Sequence, residues 1–255
     1  MHSRFSAVLA LGAALLLASC TQGASAPQPG GQAPSKGAQK ESTPQQVKPL
    51  PFNAGGLLGG TAAPEFPDGD PGGIVVVTPD AKVNARGALV IAFRNNTGEP
   101  ISSVRWQGSA KNGDSVVGQG MSLSSTPGIV QPGEIGLTAI SFSNPKAIPE
   151  DANISLSVTS QKPDTEPMSA APLTVTDARQ AGSEVVGNVV NKTGHQVRGP
   201  INVDVYCFKG NEIISMWPGY LKEKRIEKDG KAPFSLSLYG AECPTFAVGV
   251  SGSFA

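Results

Sequence analysis

The sequence predicts an all-β protein built from two tandem β-sandwich domains. Three observations carry this prediction: short β-branched runs, an absence of helical periodicity, and a repeat of the whole pattern. Apolar runs rich in Val and Ile alternate with Gly, Pro, Asn or Asp turns, which is typical of antiparallel strands. No window of helical length carries an apolar stripe with a period of 3.6 residues. The 31 glycines and 22 prolines among 255 residues also favour turns over long helices.

The N-terminal segment has the layout of a secretory signal. His2 and Arg4 give a short positive start, Phe5 to Leu17 is apolar, and two small residues follow. The apolar run of about thirteen residues is shorter than the roughly twenty that span a bilayer. We therefore expect residues 1–19 to be a signal peptide that is removed.

A cysteine follows this signal directly. The sequence Leu17-Ala18-Ser19-Cys20 resembles the lipobox of bacterial lipoproteins, in which cleavage precedes the cysteine and that cysteine is lipidated. The resemblance implies a diacylglycerol on Cys20 and therefore an anchor on the extracytoplasmic face of the cell membrane. An ordinary secretory peptide with an incidental cysteine is the alternative.

Residues 20–71 are predicted to be a disordered tether behind the lipidated cysteine. The segment is dense in Gly, Pro, Gln, Ser and Ala and has few large apolar residues. Such a composition buries too little surface to offset the entropy of ordering the chain. A proline-rich recognition segment is the alternative, but no PxxP motif with flanking basic residues stands out.

The rest of the chain repeats one pattern twice. The segment from Gly87 to Gly98 corresponds to the segment from Ser183 to Gly194 at an offset of 96 residues, and both end in Asn-x-Thr-Gly. Further along, Ile154 to Val158 corresponds to Phe246 to Val250. We therefore predict a first β-sandwich domain over 72–163, a linker over 164–171 and a second β-sandwich domain over 172–255.

The order of these features is similar to the FxLYD family and related envelope β-sandwiches of Ig-like architecture. The segment Val203-Asp204-Val205-Tyr206-Cys207, followed by Lys209-Gly210-Asn211, stands where that family has its Phe-x-Leu-Tyr-Asp strand and turn. The resemblance implies two Ig-like, FxLYD-like domains on a bacterial envelope protein, and it implies no catalytic residues.

Cys207 and Cys243 are the two thiols that remain once Cys20 is acylated. In an exported protein an even pair is typical of a disulfide, and two buried free cysteines are the alternative. A bridge over this separation would stabilise the second domain by roughly 3 to 4 kcal/mol.

Charge and histidine content weigh against several functions. The formal net charge is zero, without the basic excess that marks a nucleic-acid partner. After residue 19 the only histidine is His195, beside Gly194 in an expected turn. An imidazole metal site needs several such ligands, and a histidine-dependent hydrolase needs the histidine within reach of its nucleophile, so we interpret His195 as an exposed turn residue. The acidic pairs, Glu150-Asp151 and Asp164 with Glu166, are interpreted as solvated loop charge. We predict no catalytic residue, no metal and no cofactor.

A candidate partner surface remains in the second domain. Met216-Trp217-Pro218-Gly219-Tyr220 places Trp217 and Tyr220 around an expected Pro-Gly turn, where an exposed pair would contact a protein or a glycan. Core packing of Trp217 is the alternative.

The sequence thus predicts a lipid-anchored, extracytoplasmic envelope protein with a non-catalytic binding or scaffolding role. The lipid anchor makes the membrane one partner, and an envelope protein or a cell-wall component is the expected second partner. Two alternatives stay open: a lipoprotein that delivers a solute or metal, and a carboxylate-dependent envelope hydrolase.

Overall fold

The computed structural model describes residues 47–255, and the regular structure of this part of the chain is antiparallel β-sheet. The predicted all-β sandwich fold is confirmed. The signal peptide, Cys20 and residues 20–46 of the predicted tether lie outside the described residues. A short 3-10 helix, Pro145–Ala147, accompanies the strands. The strands are β1 Gly59–Gly60, β2 Ile74–Val76, β3 Ala88–Asn95, β4 Ile101–Asn112, β5 Ser115–Met121, β6 Ile129–Val130, β7 Ile135–Phe142, β8 Asn153–Gln161, β9 Ala170–Pro172, β10 Thr174–Ala181, β11 Glu184–Val190, β12 Val197–Lys209, β13 Glu212–Tyr220, β14 Arg225–Ile226, β15 Lys231–Ser237 and β16 Thr245–Phe254.

The first half forms one seven-stranded sheet that folds over its own core. Its order is β2-β3-β7-β5-β4, with β6 and β8 also paired to β4. Inward-facing residues of β3 and β4, among them Ile91, Phe93, Val104 and Trp106, make the centre of this core. On β4, apolar residues that point inward alternate with polar residues that point outward, as in a sheet with one face exposed to solvent.

The second half is a sandwich of two sheets. One has the order β1-β16-β12-β13, with β14 on β12 and β9 on β16, and the other has the order β10-β11-β15. Residues such as Val185, Val205 and Val248 fill the space between them. The predicted pair Cys207 and Cys243 is joined by a disulfide in this core, with a Cα–Cα distance of 4.9 Å.

The sequence repeat corresponds to a repeated strand order. β2-β3-β7 in the first half has the arrangement of β10-β11-β15 in the second, and β8-β4-β5 has that of β16-β12-β13. The halves differ at one junction, because β5 pairs with β7 at Gly120 and Phe142 whereas β13 and β15 share no ladder. One continuous sheet in the first half is therefore two sheets in the second.

The Asn-x-Thr-Gly segments form the same hydrogen-bond network in both halves. The Asn95 amide donates to the carbonyls of Glu99 and Val130, each at 2.9 Å, and its Oδ1 accepts from the Thr97 backbone N–H. Asn191 is likewise fully buried and donates to the carbonyl of His195 at 2.7 Å. The asparagine side chain therefore joins the end of one strand to the start of the next.

The prediction of a disordered tether over residues 20–71 is wrong for residues 47–71. Gly59 of β1 lies opposite Val248 of β16, so this segment adds a strand to a sheet of the second half. Leu58 is only 6% exposed, and Phe52 and Phe66 pack against the same cluster of apolar residues. A few well-placed apolar residues bury this segment although its average composition is polar.

A buried arginine also holds this segment in place. The Arg94 guanidinium donates to the carbonyls of Leu50, Phe66 and Pro67, at 2.8, 3.2 and 3.3 Å. Burial lowers the pKa of Arg94, but its donors are satisfied by backbone carbonyls. The segment supplies acceptors that a buried arginine requires, because an unsatisfied buried donor costs more than a typical hydrogen bond contributes.

The predicted linker over 164–171 is wrong at its C-terminal end. Ala170 and Ala171 belong to β9, which pairs with β16, and Ala171 is fully buried. The chain is already part of the second half at these positions. These small residues do not carry a recognisable strand pattern, because β9 is held by the pairing of its backbone with β16.

The two halves pack against each other through a third apolar cluster and belong to one compact unit. The first half contributes residues of β3 and β7, such as Ala92 and Leu137, and the second half contributes Tyr206, Phe208 and Ala247. The sheet that contains β12 and β16 is therefore buried on both faces. This explains why β12 is buried almost continuously from Val203 to Phe208.

Leu58 tests whether residues 47–71 are part of the folded unit. We expect Leu58→Ala to lower the free energy of unfolding by about 2 to 4 kcal/mol, because it removes a buried side chain and leaves a cavity between the halves. Urea denaturation measures this value. Leu123→Ala, at a position that is 86% exposed, is the matched control and is expected to change it by less than about 0.5 kcal/mol. Equal effects of the two substitutions would contradict the packing of this segment.

Candidate partner surface

Trp217 lies within β13 and is partly buried. Its side chain is on the face of β13 that points toward the core of the second half, opposite Val205 of β12. The indole Nε1–H donates to the Ser215 hydroxyl at 3.2 Å. One part of the ring therefore packs on the core, as the core-packing alternative required, while the rest stays accessible.

Two side chains from other segments meet this ring. The ring of Tyr239, in the turn after β15, lies with its centroid 5.7 Å from that of Trp217, at an interplanar angle of 37°. The guanidinium carbon of Arg86, from the loop before β3, lies 4.2 Å from the centre of the indole ring, in cation–π geometry. We call Arg86, Trp217 and Tyr239 the aromatic surface.

The backbone of Tyr239 is held in an unfavourable conformation. Tyr239 has φ 52° and Gly240 has φ 77°, and the Ala241 N–H closes the turn by donating to the Leu238 carbonyl at 2.9 Å. A bulky residue at positive φ costs of order 1 to 3 kcal/mol, and turns of this kind favour Asn or Gly at that position. The side chain is nevertheless 82% exposed, so packing into the core does not offset this cost. The turn therefore holds the Tyr239 ring in an exposed position at a conformational cost.

The structure does not bring Trp217 and Tyr220 together. Pro218 and Gly219 lie inside β13, opposite Asp204 and Val203 of β12, so the expected Pro-Gly turn is absent there. Tyr220 is three positions after Trp217 and therefore points from the opposite face of the strand, where it is 70% exposed. Proline is tolerated because β13 is an edge strand.

Sequence reasoning missed Arg86 and Tyr239. Tyr239 carried a usable signal: Phe234 and Leu236 of β15 and then Leu238 alternate inward, and Tyr239 falls at an outward position immediately before a glycine. An aromatic residue at an outward position and next to Gly240 is expected to be exposed. Arg86 carried no such signal, since its contact with Trp217 joins the two halves.

A polar pair lies buried between the halves. Thr126 of the first half donates its hydroxyl to Asp204 Oδ2 of β12 at 3.0 Å, and both side chains are buried. Burial raises the pKa of Asp204 to about 6, and the bond from Thr126 only partly opposes this. Burial, and then the charge of Asp204, raise the pKa of the neighbouring Tyr206 as well. Burial between the halves therefore disfavours the charged form of Asp204.

The other chemistry-bearing residues are dispersed. Within residues 47–255, no group of three or more His, Cys, Asp or Glu side chains is placed to bind a metal ion. His195 is exposed, and its ring packs edge-on against Phe254 at 5.7 Å. In the same part of the chain, no helix has the length and apolar character needed to cross a bilayer.

An open groove runs over the outer face of the first sheet. Hydroxyl and amide side chains of β4, β5 and β8 line it, and Met121 lies among them. The polar side chains that line it include Gln107, Ser109, Gln119, Ser155 and Ser157.

Comparison with known proteins does not assign this chain to a family. No family model matches it, and no curated protein matches it. Among solved structures it is similar to the secreted serine protease VesC from Vibrio cholerae, with 14% sequence identity and a TM-score of 0.22. The match covers 71% of this chain and 46% of that protein, so the chain spans less than half of its length. At this TM-score the similarity carries no argument about fold or activity.

The buried carboxyl group predicts a pH-dependent stability. The pKa of Asp204 is about 6 in the fold and roughly 3.9 in an unfolded chain. Between these values the unfolded state releases a proton that the folded state keeps, so the free energy of unfolding falls as pH rises from about 4 to 6. It stays lower above that window, by about 2 to 3 kcal/mol for a shift of this size.

Asp204→Asn tests this prediction because it keeps an acceptor for Thr126 and does not ionise. We expect the variant and the wild type to have similar free energies of unfolding at pH 4, and the variant to be more stable by about 2 kcal/mol at pH 8. Urea denaturation at several pH values measures the difference, with Asp114→Asn in the exposed β4–β5 turn as control. A difference that is independent of pH would show that ionisation of Asp204 does not weaken the fold.

Proposed function

We propose that this protein is a lipid-anchored, extracytoplasmic envelope protein that binds a partner through its aromatic surface and without catalysis. The observation that carries the proposal is Tyr239, which is largely exposed on a strained turn and packed with its ring tilted against Trp217. Trp, Tyr and Arg are the residue types that most often dominate binding energy at interfaces, and the aromatic surface consists of one of each.

The aromatic surface is organised before any partner arrives. Core contacts and the Ser215 hydroxyl position Trp217, and the Ser237 hydroxyl accepts from the Tyr239 N–H at 3.1 Å. Rings that are already fixed lose little conformational entropy on binding. They suit a flat, partly apolar partner, such as a sugar ring of the cell wall or an apolar side chain of an envelope protein, while Arg86 provides hydrogen-bond donors.

The cellular location rests on the lipobox resemblance at Cys20. We expect Cys20→Ala to abolish lipid labelling and to move the protein from the membrane fraction to the soluble fraction, because the acyl chains supply the membrane affinity. Thr21→Ala, which keeps the cysteine, is the control and is expected to stay with the membrane. Unchanged fractionation of Cys20→Ala would rule out the anchor.

Crosslinking in cells tests the aromatic surface. A photoreactive residue in place of Glu242, which is exposed beside the Tyr239 turn, is expected to capture the partner. Tyr239→Ala in this background is expected to lower the yield about tenfold or more, as loss of a dominant contact does. Tyr220→Ala is the control, since Tyr220 is exposed on the opposite face of β13. Equal yields from the two variants would assign binding to another surface.

Stability separates a binding role of Tyr239 from a structural one. Tyr239→Asn relieves the positive-φ strain, so we expect it to raise the free energy of unfolding by about 1 kcal/mol while it lowers the crosslinking yield. A structural role would instead make the variant less stable.

A further inference from the structure

The outer edge of β8 is a free sheet edge. β8 pairs with β4 regularly from Asn153 to Thr159, and the irregularity of this ladder lies further along, between Ser102 and Arg105 of β4. Within residues 47–255, no strand pairs with the other side of β8. Its unpaired backbone N–H and C=O groups are therefore available along a strand of nine residues.

The other edge strands carry features that discourage further pairing. β2 has three residues, and β10 contains a bulge and the charged Asp177. β13 contains Pro218, and β15 contains Pro233 and Lys231. Short length, bulges, proline and charge are the usual protections of a sheet edge. β8, with the sequence NISLSVTSQ, has no proline and no charge.

In the second half, the strand equivalent to β8 is paired on its outer side. β16 takes the place of β8 in the repeat, and its outer side is paired antiparallel with β1 and β9. The inward residues Phe246, Val248 and Val250 of β16 are accordingly 2%, 0% and 2% exposed. The corresponding residues of β8 pack on the core of the first half but are only partly buried. Among the described residues no further strand pairs with β8, and its inner apolar residues stay partly exposed.

We propose that a second copy of this chain occupies this edge, with β8 pairing antiparallel to its counterpart about a two-fold axis at Leu156. In this register Ile154 faces Val158 of the other copy, Ser155 faces Ser157, and Asn153 faces Thr159. Apolar residues meet apolar residues on the inner face and polar residues meet polar residues on the outer face. The paired segment coincides with the regular part of the strand.

Self-pairing fits this strand better than a charged partner strand does. β8 is neutral, so two copies meet without the repulsion that charges on other edges would cause. A two-fold axis also places the grooves of both copies on one side of a continuous sheet, because Ser155 and Ser157 line the groove. Interaction with the membrane surface through the proposed anchor would raise the local concentration of both copies.

Charge substitutions at Ser155 and Ser157 test the pairing without disturbing the core. Both side chains are exposed. The variant Ser155→Lys with Ser157→Lys places like charges opposite each other across the axis, so we expect it to weaken self-association by about fivefold or more. The matched variant Ser155→Glu with Ser157→Lys places opposite charges there and is expected to stay within about twofold of the wild type. Sedimentation equilibrium of the purified full chain in detergent measures association, and thermal unfolding checks that both variants fold.

Cysteine crosslinking in cells tests the register. Two differently tagged copies, one with Ser155→Cys and one with Ser157→Cys, are expected to form a disulfide-linked dimer when they are co-expressed and oxidised. Gln119→Cys with Ser157→Cys is the control, since Gln119 lies on the same face but on the interior strand β5. A monomeric wild type at all concentrations, equal association of the two charge variants, or crosslinks to a different protein would each overturn the proposal.

Discussion

The burial of one sheet on both faces is the constraint on which the rest of the structure depends. β12 and β16 contribute Val203, Val205 and Val248 to the core of the second half, and Tyr206 and Phe208 to the cluster between the halves. A strand that belongs to two cores has no solvent-exposed face, so each polar side chain on it is buried at a cost in free energy. Asp204 is such a position, and its raised pKa is the direct electrostatic consequence.

The two halves use equivalent positions in opposite ways. Gln107 and Ser109 of β4 take the places of Asp204 and Tyr206 of β12, as their ladders with β5 and β13 show. The first half keeps this face polar and open as a groove, whereas the second half uses it for docking. This face of the first half therefore resembles the polar outer face of a terminal repeat, on which no further repeat stacks.

The sequence predicted the strands and turns whose structure is determined by neighbouring residues. The runs around β3 and β11, and the Asn95 and Asn191 turns, are readable because each strand carries its own pattern. The sequence did not reveal that residues 47–71 are ordered. Leu58 is buried by residues that are distant in the chain, and the fold brings the Leu50 carbonyl to the Arg94 guanidinium. Pro218-Gly219 was misread for a related reason, because turn statistics do not reveal that the strand is at an edge.

The aromatic surface depends on the same contact between the halves. Arg86 belongs to the first half, while Trp217 and Tyr239 belong to the second, so loss of docking would separate the cation from the rings. Asp204 lies in that contact, where burial disfavours its charged form. The exposed aromatic surface and the buried carboxyl group therefore both depend on the packing of one half against the other, although Asp204 is not one of the residues of that surface.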